Sequence, residues 1–354
     1  MISATLLCSI VRTRLRGRTF LVWLLEEDGL DVLSDVLRAV RLTGAIYFDI
    51  HARHPWVAET PPISKIGANV MPDFDHVIAF HIMLDGWCWA QLDNQSEPPI
   101  RLESGDAVLF VRGDAHYMST EVGRRSSPNL DMYYRPKDRT LPFVLNEFGG
   151  RGDESRFVCG YLGFDSRPFN PLLGALPGML HVKSASVGGQ LTHDLIRLAL
   201  KESASPSAGG ETILSKLSEV MFLQAIRQFV DTLPPESTGW LSGLRDRYVG
   251  AALRLMHGRP SEGWTVDSMA REVGLSRSAF ADRFVNIMGT PPMQYLSSWR
   301  LKLAANLLEE QRLSIAQAAA EVGYESEAAF NRAFKKLVGV PPGAWRRARA
   351  PTGA

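Results

Sequence analysis

The chain has 354 residues, enough for two domains, and at 45% hydrophobic and 22% charged it has the balance of a soluble protein, with no run near the roughly 18 apolar residues that span a bilayer. Its three cysteines, Cys8, Cys88 and Cys159, lack CxxC spacing, which argues against a zinc site or a disulfide framework and fits a reducing cytoplasm. A net charge of +1 hides an asymmetry: 16 Lys+Arg against 10 Asp+Glu from Trp240 onward, and 23 against 28 before it, the pattern of a DNA-binding module joined to a part that phosphate repels.

Residues 1–26 do not read as a signal peptide. Arg12, Arg14, Arg16 and Arg18 stand in the middle, the apolar run Phe20 to Leu25 is short, and Glu26, Glu27 and Asp28 follow at once. The expectation is a poorly ordered extension, with a basic membrane-surface helix as the alternative. Leu30 to Val40 has the spacing of a short amphipathic helix. The texture then changes to strands at Ala45 to Ile50, Trp56 to Thr60, Val77 to Leu84, Trp87 to Leu92 and Ala107 to Arg112, with further segments at Arg156 to Leu162 and Leu180 to Val182. Many short strands separated by Gly, Pro, Asp or Asn predict a sandwich or a small barrel. Within it, Trp87 and Trp89 share one strand face and read as core filling. Cys88 and Cys159 are either small core hydrophobes or a redox pair.

Leu191 to Ser203 predicts an amphipathic helix and Ser203 to Gly210 a breaker-rich loop. Glu211 to Leu233 predicts a longer helix, with Leu214, Leu217, Met221, Ala225 and Phe229 at spacings of three and four. Ile213, Val220 and Ile226 widen its apolar face, which serves either a partner subunit or an intramolecular hairpin. Leu233 to Gly239 is breaker-rich, and a further helix follows from Leu244 to Met256.

The last hundred residues carry one motif twice. Trp264 to Tyr295 and Leu313 to Trp345 share landmarks: Val273 and Gly274 fall on Val322 and Gly323. Phe280, Phe284, Gly289, Pro291, Pro292 and Tyr295 fall on Phe330, Phe334, Gly339, Pro341, Pro342 and Trp345, after a one-residue insertion. In the first copy Thr265 caps a short helix, Gly274 turns the chain and Ser276 caps a second helix burying Ala279, Phe280, Phe284 and Ile287. In the second, Ser314, Gly323 and Ser326 repeat the scheme, and Ala329, Phe330, Phe334 and Val338 face inward. This is the pattern of a helix-turn-helix, whose second helix enters the major groove.

On these landmarks the C-terminal hundred residues resemble the AraC/XylS family of bacterial transcription regulators. Pro291 to Glu310 resembles that family's linker helix, expected to bury Tyr295, Leu296, Trp299, Leu303, Leu307 and Leu308. The resemblance implies recognition residues Ser278, Ala281 and Asp282, flanked by Arg277 and Arg283, in the first unit. In the second it implies Glu327, Ala328, Asn331 and Arg332. Arg reads guanine and Asn adenine in bidentate fashion, whereas Asp282 either accepts from cytosine N4 or pairs with a neighbouring Arg. Arg300, Lys335, Lys336, Arg346 and Arg347 are candidate phosphate contacts.

Phe80 to Leu92 and Ile100 to His116 resemble a cupin jelly roll, of the kind attached as a sensor to some AraC-like regulators. The resemblance extends through Arg156 to Asp165 and Asn170 to Val182. Of the four usual cupin metal ligands only His116 remains, with Asp73, Asp75 and Ala79 in the other places. No metal or cofactor is therefore expected, and no enzymatic activity. His81, on the strand parity of the lost ligands, is expected to point inward, either as a core histidine bonded to backbone or, with His116 and Trp89, as the lining of an effector pocket.

The expected fold class is α+β, a cupin-like β-barrel followed by an all-α domain. The expected divisions are the extension 1–26, a sensor 27–185, a dimerising helical hairpin 186–233, a linker 234–243 and a DNA-binding domain 244–349. The expected function is a cytoplasmic, sequence-specific regulator that binds double-stranded promoter DNA as a homodimer under a small-molecule or redox effector, with RNA polymerase open as a further partner. The alternatives are a cupin metalloenzyme with a helical tail and a DNA-binding dimer that needs no effector.

Overall fold

The computed structural model describes residues 31–40, 42–134, 141–184, 189–204, 208–309 and 313–349. The expected extension 1–26, with Cys8, lies outside them. The chain opens with α1 (Val32–Ala39), capped by Asp31, whose carboxylate accepts the Leu33 and Ser34 N–H groups. Ten strands follow: β1 (Leu42–Arg53), β2 (Val57–Thr60), β3 (His76–Asp85), β4 (Trp87–Leu92), β5 (Ile100–Glu103), β6 (Ala107–Phe110), β7 (His116–Ser119), β8 (Phe143–Gly149), β9 (Glu154–Phe164) and β10 (Met179–Val182). They form a six-stranded sheet in the order β10-β6-β3-β9-β1-β8 and a four-stranded sheet in the order β2-β7-β4-β5. Helices α2 (Ile63–Val70) and α3 (Pro171–Ala175) interrupt the strands.

The two sheets pack face to face, and the larger one is buried on both sides. Along β3, Val77, Ala79, His81 and Met83 alternate with Ile78, Phe80 and Ile82. The apolar residues of the first set join Cys88, Ala90, Leu102 and Met118 in the core between the sheets. The second set faces the helices. β9 divides the same way, with Phe157, Cys159 and Tyr161 inside and Val158, Leu162 and Phe164 outside.

The outer face is covered by α5 (Gly210–Thr232), which lies along β1, and α4 (Gly189–Ala204) packs against α5. Gly44 permits that approach, since a Cβ there would collide with the Ser218 side chain.

The helical C-terminal part begins earlier than expected. Residues 240–243, assigned to a linker by sequence, belong to α6 (Trp240–Arg245), and a break at Asp246 separates it from α7 (Arg247–Gly258). The remaining helices are α8 (Val266–Val273), α9 (Arg277–Met288), α10 (Pro292–Glu309), α11 (Ile315–Glu321), α12 (Glu327–Val338) and α13 (Pro342–Ala348). One apolar cluster runs from the outer face of the large sheet through α1 and α5 into the α6 to α10 core, whereas the α10 to α13 core is separate. Among the described residues no helix is long and apolar enough to cross a membrane.

Candidate functional site

Both helix-turn-helix units are built by reciprocal caps. Thr265 Oγ1 accepts the Ser268 N–H at 3.0 Å while Ser268 Oγ accepts the Thr265 N–H at 2.9 Å. Ser314 and Gln317 repeat this at 3.2 and 2.9 Å. Gly274 and Gly323, at φ 78° and 83°, make the turns in the left-handed region. Ser276 and Ser326 then cap α9 and α12. Phe280 and Phe284, then Phe330 and Phe334, are fully buried and fix which side of each helix faces out. On α9 that side carries Arg277, Ser278, Asp282 and Arg283, all exposed, and the half-buried Ala281. On α12 it carries Glu327, Ala328, Arg332, Lys335 and Lys336, all exposed, and the half-buried Asn331. Ala279, expected inside, is exposed.

Hydrogen bonding separates these side chains into two classes. Among the described residues, Arg277, Asn331, Arg332, Lys335 and Lys336 have no side-chain hydrogen bond or ion pair within the chain, and Asp282 has none either. Arg283 does not share that freedom. Its guanidinium forks onto Asp246, with Nε–Oδ1 at 3.0 Å and Nη2–Oδ2 at 2.5 Å, and lies over the Tyr248 ring at 5.3 Å. Arg300 departs further from its expected phosphate contact. It donates to the carbonyls of Pro260 at 2.6 Å, Glu262 at 2.7 Å and Gly323 at 3.4 Å, and burial pushes its pKa down. The guanidinium therefore ties the two units together from inside.

The N-terminal sandwich carries a half-open cavity of about 420 Å³. Phe48, Ile50, Trp56, Met132 and Leu145 make its apolar wall. Thr60, Tyr133, Tyr161, His81 and Cys159 supply polar groups. Glu59, Arg124 and the segment 126–129 also line it. Arg125 secures that segment through Glu59 and Asp93 and stacks over Tyr117 at 4.6 Å.

Of the three expected pocket residues, His81 lines this cavity and His116 stands directly behind it, stacked on Phe110 at 3.6 Å. Trp89 is a correction: it is half-buried on the far side of β4, because strand alternation turns Cys88 and Ala90 inward and Trp87 and Trp89 outward. The expected reading of those tryptophans as core filling fails for the same reason.

His81 Nδ1 lies 2.8 Å from Cys159 Sγ, and His81 Nε2 lies 2.8 Å from His116 Nε2. His116 Nδ1 lies 3.0 Å from the Asp114 carbonyl, to which it must donate. Burial holds His116 down to about 4 and His81 well below its ordinary value, the latter also through its neighbour His116. Both rings are neutral at pH 7. His116 Nε2 is then an acceptor, His81 Nε2–H donates to it, and His81 Nδ1 accepts the Cys159 S–H. Among the described residues no three His, Cys, Asp or Glu side chains converge as a metal site.

A Cupin family model matches residues 31–231, and a helix-turn-helix domain model matches residues 269–348. An AraC-like transcription regulator of Streptomyces lividans is 30% identical over 90% of this chain and 98% of its own length. The chain belongs to the AraC-like transcription regulators. The regulator is also 28% identical to the HTH-type transcriptional regulator AlkR of Acinetobacter baylyi, over 90% of this chain and 99% of that protein. It is 32% identical to the RCS-specific HTH-type transcriptional activator RclR of Escherichia coli, over 76% of this chain and 84% of that protein. Its function is sequence-specific DNA binding in the control of transcription.

Sequence reasoning missed Cys159 as the partner of His81, although they are opposed across the β3–β9 ladder. The signal was present only in part. Phe157, Cys159 and Tyr161 share a face by parity, but nothing local says which strand pairs with β9. It also missed Tyr133, which sits in a short 3-10 turn at Leu130–Tyr133.

Proposed function

We propose that the regulator binds promoter DNA as a homodimer in the cytoplasm, without enzymatic activity, and that a small effector occupying the cavity of the sandwich controls that binding. Residues 27–185 form the sensor, 186–233 the dimerising hairpin, and Trp240 onward the DNA-binding domain. α9 and α12 enter the major groove, and α12 reads sequence. The observation that carries this reading is the contrast in hydrogen bonding. Asn331 and Arg332 are unengaged on the outer face of α12, while Arg283 and Arg300 are already used. Asn331 suits adenine and Arg332 guanine, with Lys335 and Lys336 on phosphate. A cavity of about 420 Å³ is of ligand-binding size and supports effector control.

The test is a binding-site selection with wild type, Arg332→Ala, and a Lys335→Ala/Lys336→Ala double variant. Arg332→Ala is expected to cost about 1–3 kcal/mol and to relax one or two base positions. The lysine pair is expected to weaken all sequences alike and to lower the salt slope by about two. If Arg332→Ala leaves the selected motif intact, the arginine holds phosphate and the reading of α12 fails.

A further inference from the structure

We propose that Cys159 is a nucleophilic thiol and that the cavity captures its effector covalently, the effector being an uncharged α,β-unsaturated carbonyl compound. The proposal rests on reading the cavity as the effector site. Three features point to this chemistry.

The first is the relay. A thiol on the cavity wall donates to an imidazole that is itself a donor to a second imidazole, which is held by a backbone carbonyl. A core cysteine needs no such chain; a thiol that must lose its proton during attack does. Among the described residues neither histidine has a carboxylate partner, and the neutral pair can accept the thiol proton at His81 Nδ1 and pass one on from His81 Nε2 to His116.

The second is the wall. Phe48, Ile50, Trp56 and Leu145 suit an apolar, uncharged ligand. Burial raises the Cys159 thiol well above its ordinary value, so there is no standing thiolate for water-borne reagents to meet. Reaction requires a ligand that enters the cavity and a base that removes the proton as the bond forms.

The third is the supply of donors for a carbonyl. The Tyr133 hydroxyl is hydrogen-bonded to those of both Thr60 and Tyr161 beside the thiol. Trp56, another wall residue, has a buried indole N–H with no partner among the described residues. A buried orphan donor calls for an acceptor.

The step balances without an oxidant. Cys159 Sγ bonds to the β-carbon, and the π pair of the C=C bond moves onto the α-carbon as the enolate, whose oxygen the cavity hydroxyls hold. The thiol proton passes to His81 Nδ1, and the His81 Nε2 proton can shift to His116. The proton then returns to the α-carbon. One S–H and one C=C π bond are lost, one S–C and one C–H are gained.

The experiment treats the full-length regulator with cyclohex-2-enone at neutral pH and maps adducts by peptide mass spectrometry. Cys88 is the internal control, buried as well but off the cavity wall and without an imidazole partner among the described residues. The expected result is one added reagent mass on Cys159, formed about a hundredfold faster than on Cys88, and a loss of about that factor in His81→Gln. Equal rates at the two cysteines overturn the proposal, as does an undiminished rate in a folded His81→Gln. The wild-type ratio needs no variant, so misfolding of the variant leaves the test intact. Saturated cyclohexanone separates the two readings. If it raises the melting temperature while Cys159 stays unlabelled by the enone, covalent capture is wrong and the effector cavity stands. If neither compound acts on the protein, both readings fall.

Discussion

Asp246 shows how one carboxylate can decide local architecture. It ends α6, caps α7 by accepting the Tyr248 and Val249 N–H groups at 3.1 and 2.9 Å, and holds the Arg283 fork. Loss of the cap alone costs about 0.5–2 kcal/mol, so Asp246→Ala is expected to lower stability by at least that much. The pH dependence follows from the charge. Burial alone would raise the Asp246 carboxyl, but Arg283 and the two backbone donors outweigh it, and its pKa lies below the ordinary value. A depressed folded pKa means the stabilisation is complete above the unfolded value of about 3.9 and is lost as pH falls through the folded one. Urea melts of wild type and Asp246→Ala should therefore differ by a constant amount at neutral pH, and the gap should close below the unfolded value. A gap that persists undiminished in acid would show that the carboxylate's charge contributes nothing. This residue also marks a limit of sequence reading. Leu244 to Met256 looks like one helix because both sides of Asp246 have helical spacing, and the deciding partner, Arg283, is 37 residues away. Arg300 illustrates the same limit: a lysine or arginine on a helix reads as surface until the carbonyls it serves are in view.

The elements that sequence made legible are those whose signal is local. The paired caps, glycines and phenylalanines of the two helix-turn-helix units specify helix, turn and helix within a few residues, and the structure follows them. β1, β3, β4 and β9 were legible as apolar runs. β5, β7 and β8 were not, because Ile100–Glu103 and His116–Ser119 are only four residues long and Phe143–Gly149 carries polar residues between its apolar ones. Ile63–Val70 and Pro171–Ala175 are short helices set by tertiary packing. α5 was legible, and so was the excess width of its apolar face. Leu214, Leu217, Met221 and Ala225 are buried, while Ile213 and Val220 are 41% and 45% exposed. On α4, Leu191 and Leu198 are 48% and 49% exposed. Scattered exposed side chains are ordinary, but four on one helical pair suit the proposed dimer. Burying a Leu or Val contributes roughly 1.5–3 kcal/mol, which is about tenfold or more in a dissociation constant per side chain. Leu198→Glu/Val220→Glu is therefore expected to turn a dimer into a monomer in sedimentation velocity, with the melting curve retained. A wild-type monomer at all concentrations, or a double variant that stays dimeric, removes these helices as the interface.

On the scale of the whole molecule, the N-terminal part grips the DNA-binding part at its linker helix and its last helix. Asn306 Nδ2 on α10 donates to the Ala39 carbonyl at 2.8 Å, and Lys302 Nζ donates to the Arg167 carbonyl at 3.2 Å. Lys302 is only 2% exposed, and burial pushes its pKa down. Beyond α13, Arg349 reaches Glu309 at 3.1 Å, Asp75 at 3.3 Å and Asp165 at 3.8 Å, and stacks over Trp345 at 4.2 Å. One guanidinium thus joins the end of the linker helix, the end of α13 and two carboxylates of the sandwich. The core of the second helix-turn-helix is separate from the cluster that unites the first with the sandwich. Its hold on the N-terminal part depends more on these polar contacts than on shared apolar burial. Removing a charged partner from such a site costs about 1–3 kcal/mol, because the remaining carboxylates stay partly buried without it. Every 1.4 kcal/mol is tenfold in an opening equilibrium. Arg349→Ala is therefore expected to speed amide exchange in α12, α13 and the last turn of α10 by about tenfold. Exchange in α8 and α9, whose core is continuous with the sandwich, should stay unchanged. Uniform acceleration across both units would mean that Arg349 stabilises the fold as a whole and does not act as a local tether. No acceleration anywhere would mean that the cluster holds nothing.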